Sequence, residues 1–183
     1  KNGVTLTQGA NRDQFEAKFS AYVGSQSAFA VNNATSALEL AAILCQLSAE
    51  SEVVIPAHTF TSSAYPFARK GAKLVWADID ERTHVVTAEQ IEKKITNKTH
   101  VIVVPHLYGY GCDMPSIINL ASERGLVVVE DAAQALGVEI EGKMAGTFGE
   151  YGIYSFHSHK NISTLGEGGM VVCNNYQDYS ILH

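Results

Sequence analysis

Two apolar runs, Val101-Ile102-Val103-Val104 and Leu126-Val127-Val128-Val129, stand on either side of the segment Met114 to Arg124. Neither run alternates with polar residues, as expected of strands covered on both faces. The segment between them has the length of a helix, and Gly125 is its natural stop. Two strands joined by a crossover helix pair in parallel. Glu130-Asp131 follows the second run directly, which puts a carboxylate where an open α/β sheet presents its ligand crevice.

The same alternation extends towards the N-terminus. Phe15, Phe19 and Tyr22 recur at helical spacing after Asp13, a plausible N-cap, so Asp13 to Tyr22 is expected to be an amphipathic helix ended by Gly24. Ala28 to Val31 is strand-like, and Ser36 to Leu47 carries a helical pattern in Leu38, Ala41, Ala42 and Cys45. Glu52 to Ile55 is a strand interrupted by Pro56, Thr61 to Arg69 a helix, and Lys73 to Ala77 a strand. Thr87 to Ile95 is expected to be helical, with Glu89 near its start and Lys93 and Lys94 near its end. Beyond Asp131 the rhythm changes to a hairpin from Val138 to Gly146 around Glu141-Gly142, then strands at Tyr151 to Ser155 and Met170 to Cys173. These elements predict one three-layer α/β/α domain with a mostly parallel central sheet.

Composition narrows the function. The 183 residues are 46% hydrophobic and 17% charged, too apolar for a disordered chain. With 13 basic against 19 acidic residues, the net charge of −6 argues against a broad nucleic-acid footprint. The charge-free span Ser20 to Leu38 is rich in Ser, Asn and Gln, so no membrane partner is expected. Cys45, Cys112 and Cys173 are far apart and form no C-x-x-C pair, which suits a reducing, cytoplasmic setting. No signal peptide is visible, and the missing initiator Met points to sequence upstream.

Three local features carry chemistry. Asn33-Ala34-Thr35-Ser36 lies where a helix starts after a strand, a place whose unpaired N–H groups and dipole favour anions. It matches neither G-x-x-x-x-G-K-[ST] nor G-x-G-x-x-G, and its ordinary role is a helix cap. Asp131 could equally cap the turn after it. Lys160 lies in a polar turn, Ser155-Phe156-His157-Ser158-His159-Lys160-Asn161, where a lysine is usually a surface charge. His106, His157 and His159 suggest a metal, but no H-E-x-x-H motif or cysteine pair accompanies them, so no metal is assigned. Together, an anion-binding helix start, a strand-end Asp and a turn Lys are what a pyridoxal phosphate site requires: phosphate anchor, pyridinium partner and Schiff-base amine.

The chain resembles the DegT/StrS family of pyridoxal-phosphate-dependent nucleotide-sugar aminotransferases, which have the fold type I large domain. The matching blocks are Leu6-Thr7-Gln8-Gly9 with Phe15-Glu16, Asn33 to Leu38, Ile55-Pro56-Ala57-His58-Thr59-Phe60, His106-Leu107-Tyr108-Gly109, Glu130-Asp131-Ala132-Ala133-Gln134-Ala135-Leu136-Gly137, and Ser155 to Asn161 with Gly166-Glu167-Gly168-Gly169. Their order and combination are specific. The resemblance implies pyridoxal 5′-phosphate as cofactor, Lys160 as the Schiff-base and proton-shuttling residue, and Asp131 as partner of the pyridine nitrogen. It implies stacking by Phe60, Gln134 beside the phenolic oxygen, and phosphate binding by Ala34, Thr35, Ser155 and Ser36. His159 departs from the small or uncharged residue usual before that lysine.

The implied activity is transfer of an amino group from glutamate or glutamine to a nucleotide-linked keto sugar, for amino-sugar or surface polysaccharide biosynthesis, by a homodimer. Related sugar dehydratases carry His in place of the lysine, so Lys160 favours amino transfer. Residues 1–183 correspond to the large domain alone, without the extreme N-terminus and C-terminal small domain of the family. A non-catalytic binding or regulatory module, a fragment, and a small metal enzyme using His106, His157 or Asp131 are the rival readings.

Overall fold

The computed structural model describes residues 9–174; the Leu6-Thr7-Gln8 part of the first matching block lies outside them. In chain order the elements are α1 (Ala10–Val23), β1 (Ser27–Val31), α2 (Ala34–Leu44), β2 (Glu52–Pro56), α3 (Thr61–Arg69), β3 (Lys73–Ala77), α4 (Ala88–Glu92) and β4 (Thr99–Pro105). A short 3-10 turn at Leu107–Gly109 leads to α5 (Met114–Arg124) and β5 (Val127–Asp131). The hairpin strands β6 (Glu139–Ile140) and β7 (Lys143–Met144) precede β8 (Tyr151–Ser155) and β9 (Gly169–Cys173).

Seven strands form one sheet in the order β1-β9-β8-β5-β4-β2-β3. The pairs β2 with β3, β2 with β4, β4 with β5 and β5 with β8 are parallel, while β9 is antiparallel to both β8 and β1. Only β9 is therefore reversed, and the C-terminal ends of the other six strands share one edge. The apolar runs split by parity, as a strand's period of two demands. Val53, Ile55, Val101, Val103 and Val129 pack against α2 and α3, with Leu38 and Phe67 among the contacts. Val54, Ile102, Val104 and Val128 face α4 and α5 through Ile91, Ile117 and Leu120. On that second face α1 covers Tyr154, Met170 and Val172 with Phe19 and Val23. The predicted three-layer, mostly parallel architecture is the one found.

Several boundaries differ from expectation. α1 starts at Ala10 with Gly9 at its N-cap, not at Asp13, and no side chain caps it. Tyr22 is 59% exposed, and Val23 takes its place on the buried face. Position 23 falls four residues after Phe19, in line with the stripe that Phe15 begins. α2 begins at Ala34 and stops at Leu44, with the Asn33 side chain accepting the Ser36 N–H. α4 ends at Glu92 because Lys94 and Ile95 donate to Ile91 and Glu92, tightening the last turn to i→i−3 bonds. The hairpin turns at Glu141 and Gly142, both at positive φ, as a two-residue turn between short strands requires.

Gly169 brings β9 against the start of α2. A Cβ there would lie 2.7 Å from the Ala34 nitrogen and overlap the Asn33 carbonyl carbon. Gly169→Ala is expected to destabilise the fold by about 2 kcal/mol through overpacking, read as a lowered thermal midpoint.

Candidate active site

The shared strand edge encloses a cavity of about 580 Å3, within the roughly 300–1,000 Å3 typical of small-molecule sites. It is lined by Ala34 and Thr35 at the start of α2, Phe60 and Ser63 at the start of α3, Asp131 and Gln134 after β5, and Ser155 and Lys160 after β8. Seven of the eight residues assigned from sequence therefore share one space. Ser36 does not line it; its N–H is spent on the Asn33 cap at 2.9 Å.

Asp131 is buried, and its two oxygens are held from two sides. Oδ2 accepts the Ser63 hydroxyl at 2.6 Å, and Oδ1 accepts the Ala133 N–H at 3.1 Å. The capping role and the cavity-facing role thus coexist. Gln134 Oε1 accepts the Tyr108 N–H at 2.6 Å, holding Tyr108 in a left-handed conformation with φ 57° and leaving the Gln134 amide N–H groups as donors. Thr35 Oγ1 donates to Ser62 Oγ at 3.0 Å, tying the two helix starts together.

Lys160 ends a turn fastened by His157. The Lys160 N–H donates to the His157 carbonyl at 2.9 Å, and the His159 N–H donates to His157 Nδ1 at 3.2 Å. His157 Nε2 faces Glu167 Oε1 at 3.3 Å, and the His159 ring packs edge-on against His157 at 4.9 Å. Among the described residues the Lys160 ammonium has no hydrogen-bond or ion-pair partner, so it is available to a ligand. His159 is exposed and still reaches the cavity wall.

Beneath the site lies Glu130, fully buried. It accepts the N–H groups of Gly146, Phe148 and Gly149 at 2.6–2.8 Å, and His106 Nε2 lies 2.9 Å from its Oε2. Burial opposes a charge on His106, while its contacts with Cys112 and Glu130 favour one. The hydrogen-bond directions fix the outcome: Nδ1 accepts the Cys112 N–H at 3.2 Å, an accepting nitrogen carries no proton, and the ring is therefore neutral with its proton on Nε2. Both nitrogens are engaged, which removes His106 as a metal ligand. Among the described residues no three His, Cys, Asp or Glu side chains converge. Burial also pushes the Tyr154 hydroxyl well above its ordinary pKa, so it stays a donor, to the Ala145 carbonyl at 2.7 Å. Glu130→Gln removes the charge on which these donors converge and is expected to cost about 3 kcal/mol of stability, measured by thermal or urea denaturation.

Sequence reading passed over Ser62 and Ser63, and gave no role of their own to Asn33, Thr59 and Glu167 within the matching blocks. The hydroxyl-rich run Thr59-Phe60-Thr61-Ser62-Ser63 opens a helix after a strand, the same signal that singled out Asn33 to Ser36.

A doubly covered, mostly parallel sheet with a cavity at its strand C-termini, and an amine, a carboxylate and helix N-termini on the walls, is an α/β domain with a built small-molecule site. The chain belongs to the DegT/DnrJ/EryC1/StrS aminotransferase family, whose sequence profile matches residues 1–181. It is 44% identical over 161 residues to GDP-perosamine synthase of Escherichia coli O157:H7, covering 88% of this chain and 44% of that protein. An aminotransferase from Psychrobacter cryohalolentis superposes with a TM-score of 0.95 at 38% identity, over 99% of this chain and 46% of that one. An E. coli GDP-4-keto-6-deoxy-D-mannose-3-dehydratase with bound hydrated PLP superposes with a TM-score of 0.91 at 27% identity, over 96% of this chain and 46% of that one. The chain thus spans about half the length of the relatives it matches. Among the described residues no helix is long and apolar enough to cross a membrane.

Proposed function

We propose that this chain is the cofactor-binding large domain of a pyridoxal 5′-phosphate-dependent aminotransferase that moves an amino group from glutamate or glutamine to a keto sugar on a nucleotide. The observation that carries the reading is a single cavity lined by one lysine, one buried carboxylate and the start of α2. The donor set suits the cofactor: N–H groups and hydroxyls for a phosphate, a carboxylate for a cationic ring nitrogen, and an unpaired amine for an aldehyde. When bound, the cofactor supplies an electron sink for the carbanion formed at the amino carbon.

In this reading Ala34 and Thr35 bind the phosphate through the N-terminus of α2, with the Ser155 hydroxyl opposite. Ser36 adds at most its hydroxyl. Phe60, 65% exposed, offers a ring face for stacking. The Gln134 amide donates to the phenolic oxygen. Asp131 would accept from a protonated ring nitrogen in a charge-assisted bond, and the Lys160 amine would hold and return the proton of the reacting carbon. Lys160, rather than the histidine of the sugar dehydratases, favours amino transfer over dehydration. Pairing with a second copy belongs to the same reading; Tyr108, next in sequence to the cavity-lining Leu107, is exposed and open to such a contact. A cytoplasmic setting belongs to the same reading, in keeping with three cysteines that lie far apart in sequence and form no C-x-x-C pair.

Borohydride reduction of the pyridoxal phosphate-loaded protein followed by peptide mapping tests the reading. A phosphopyridoxyl label on Lys160 is expected; a label on another lysine, or none, overturns it.

A further inference from the structure

Ser63 is fully buried in the first turn of α3 and faces the cavity. Its Oγ is both donor and acceptor. Thr59 Oγ1 donates to it at 2.9 Å, and Ser63 in turn donates to Asp131 Oδ2 at 2.6 Å. An ionised carboxylate can only accept, so the Ser63 proton has one direction to point, and Thr59 occupies a lone pair behind it. The second oxygen of Asp131 is tied to Ala133 N–H at 3.1 Å. The carboxylate plane is thereby fixed by two elements, α3 and the turn after β5, and its remaining lone pairs are directed rather than free to rotate.

Resting on the cofactor assignment above, we infer that Ser63, backed by Thr59, is a positioning residue that holds the Asp131 carboxylate aimed at a cationic ring N–H in the cavity. A carboxylate acceptor fixed in one orientation discriminates for a ligand that presents a ring N–H along its open lone pairs. Such an orienting role acts only on ligands that possess that nitrogen.

The experiment compares binding of pyridoxal 5′-phosphate and of its 1-deaza analogue, which lacks the ring nitrogen, by absorbance titration of wild type, Ser63→Ala, Ser63→Thr and Thr59→Val. Ser63→Ala is expected to weaken pyridoxal phosphate binding about tenfold, the size of one charge-assisted hydrogen bond, and to leave the deaza analogue unchanged. Ser63→Thr restores the hydroxyl and the affinity. Thr59→Val, which leaves the Ser63 hydroxyl in place, gives about a threefold selective loss. Equal weakening of both ligands by Ser63→Ala means a merely structural role and overturns the inference, as does no change in either. Where Ser63→Ala fails to fold, Thr59→Val decides: a selective loss upholds the inference and none refutes it. Asp131→Asn serves as the separate arm. If it leaves pyridoxal phosphate binding intact while Lys160 still takes the borohydride label, the pairing of Asp131 with the ring nitrogen fails, and the role of Ser63 with it; if Lys160 takes no label, the cofactor assignment fails; if Asp131→Asn weakens binding while Ser63→Ala does not, only the role of Ser63 falls.

Discussion

Lys160→Arg is expected to abolish amino transfer, lowering turnover by at least about 10⁴-fold, while leaving the fold intact. The amine is asked to do two things, to bond covalently and to carry a proton, and a positioned acid–base group alone contributes roughly 10²–10⁴-fold. No other lysine lines the cavity, so no neighbour can take over. Arginine keeps the positive charge but cannot lose its proton, which separates charge from chemistry. Because the ammonium has no partner among the described residues, its loss removes no folded-state contact, and the thermal midpoint is expected to stay near that of wild type. Single-turnover reaction with glutamate, followed by the change in cofactor absorbance, is the measurement. Retention of more than about one hundredth of the wild-type rate would be incompatible with so direct a role.

Asp131→Asn ranks second, with an expected loss of about 10²–10³-fold in turnover, the cost of removing one preorganised electrostatic partner. Asparagine has nearly the same shape, so packing around β5 changes little. What disappears is the negative charge proposed to face the ring nitrogen, and one of the two acceptor oxygens that serve the Ser63 hydroxyl and the Ala133 N–H. The expected signature is a fall in turnover larger than any rise in the KM for the amino donor, since the proposed partner of this carboxylate is the cofactor ring. A variant with wild-type turnover and only a raised KM would assign Asp131 to substrate binding instead.

Much of the architecture was legible because the strands are short, β-branched and doubly buried. Thr61–Arg69, Lys73–Ala77, Met114–Arg124 and Tyr151–Ser155 fall where the residue pattern puts them. The errors sit where tertiary contacts override local signals. Asp13 is a better cap than Gly9, yet α1 starts earlier, and Glu16 Oε1 within it accepts the Ala30 N–H at 2.8 Å, locking the helix to β1. Lys93 and Lys94 suit a helix end, and the helix stops before both. Among the cavity residues, those belonging to a recognisable block were visible, whereas Ser63 was not. Its importance depends on a carboxylate 68 residues away, and no local pattern encodes that. The role of Glu130 was hidden for the same reason: a buried acid is legible only once its three backbone donors are seen.

The reversed strand has a consequence for how the molecule assembles. Ser27 in β1 pairs with Cys173 in β9, 146 residues later, and only this pairing brings Gly169 against the Asn33–Ala34 turn. Closing so long a loop is slow, and a ribosome delivers the chain from its N-terminus. The end of the cavity at the start of α2, proposed to take the phosphate, is therefore expected to mature last, after the central strands β2, β4 and β5. Vitamin-derived ligand added during refolding should accelerate none of the early phases and capture the product only of the final one.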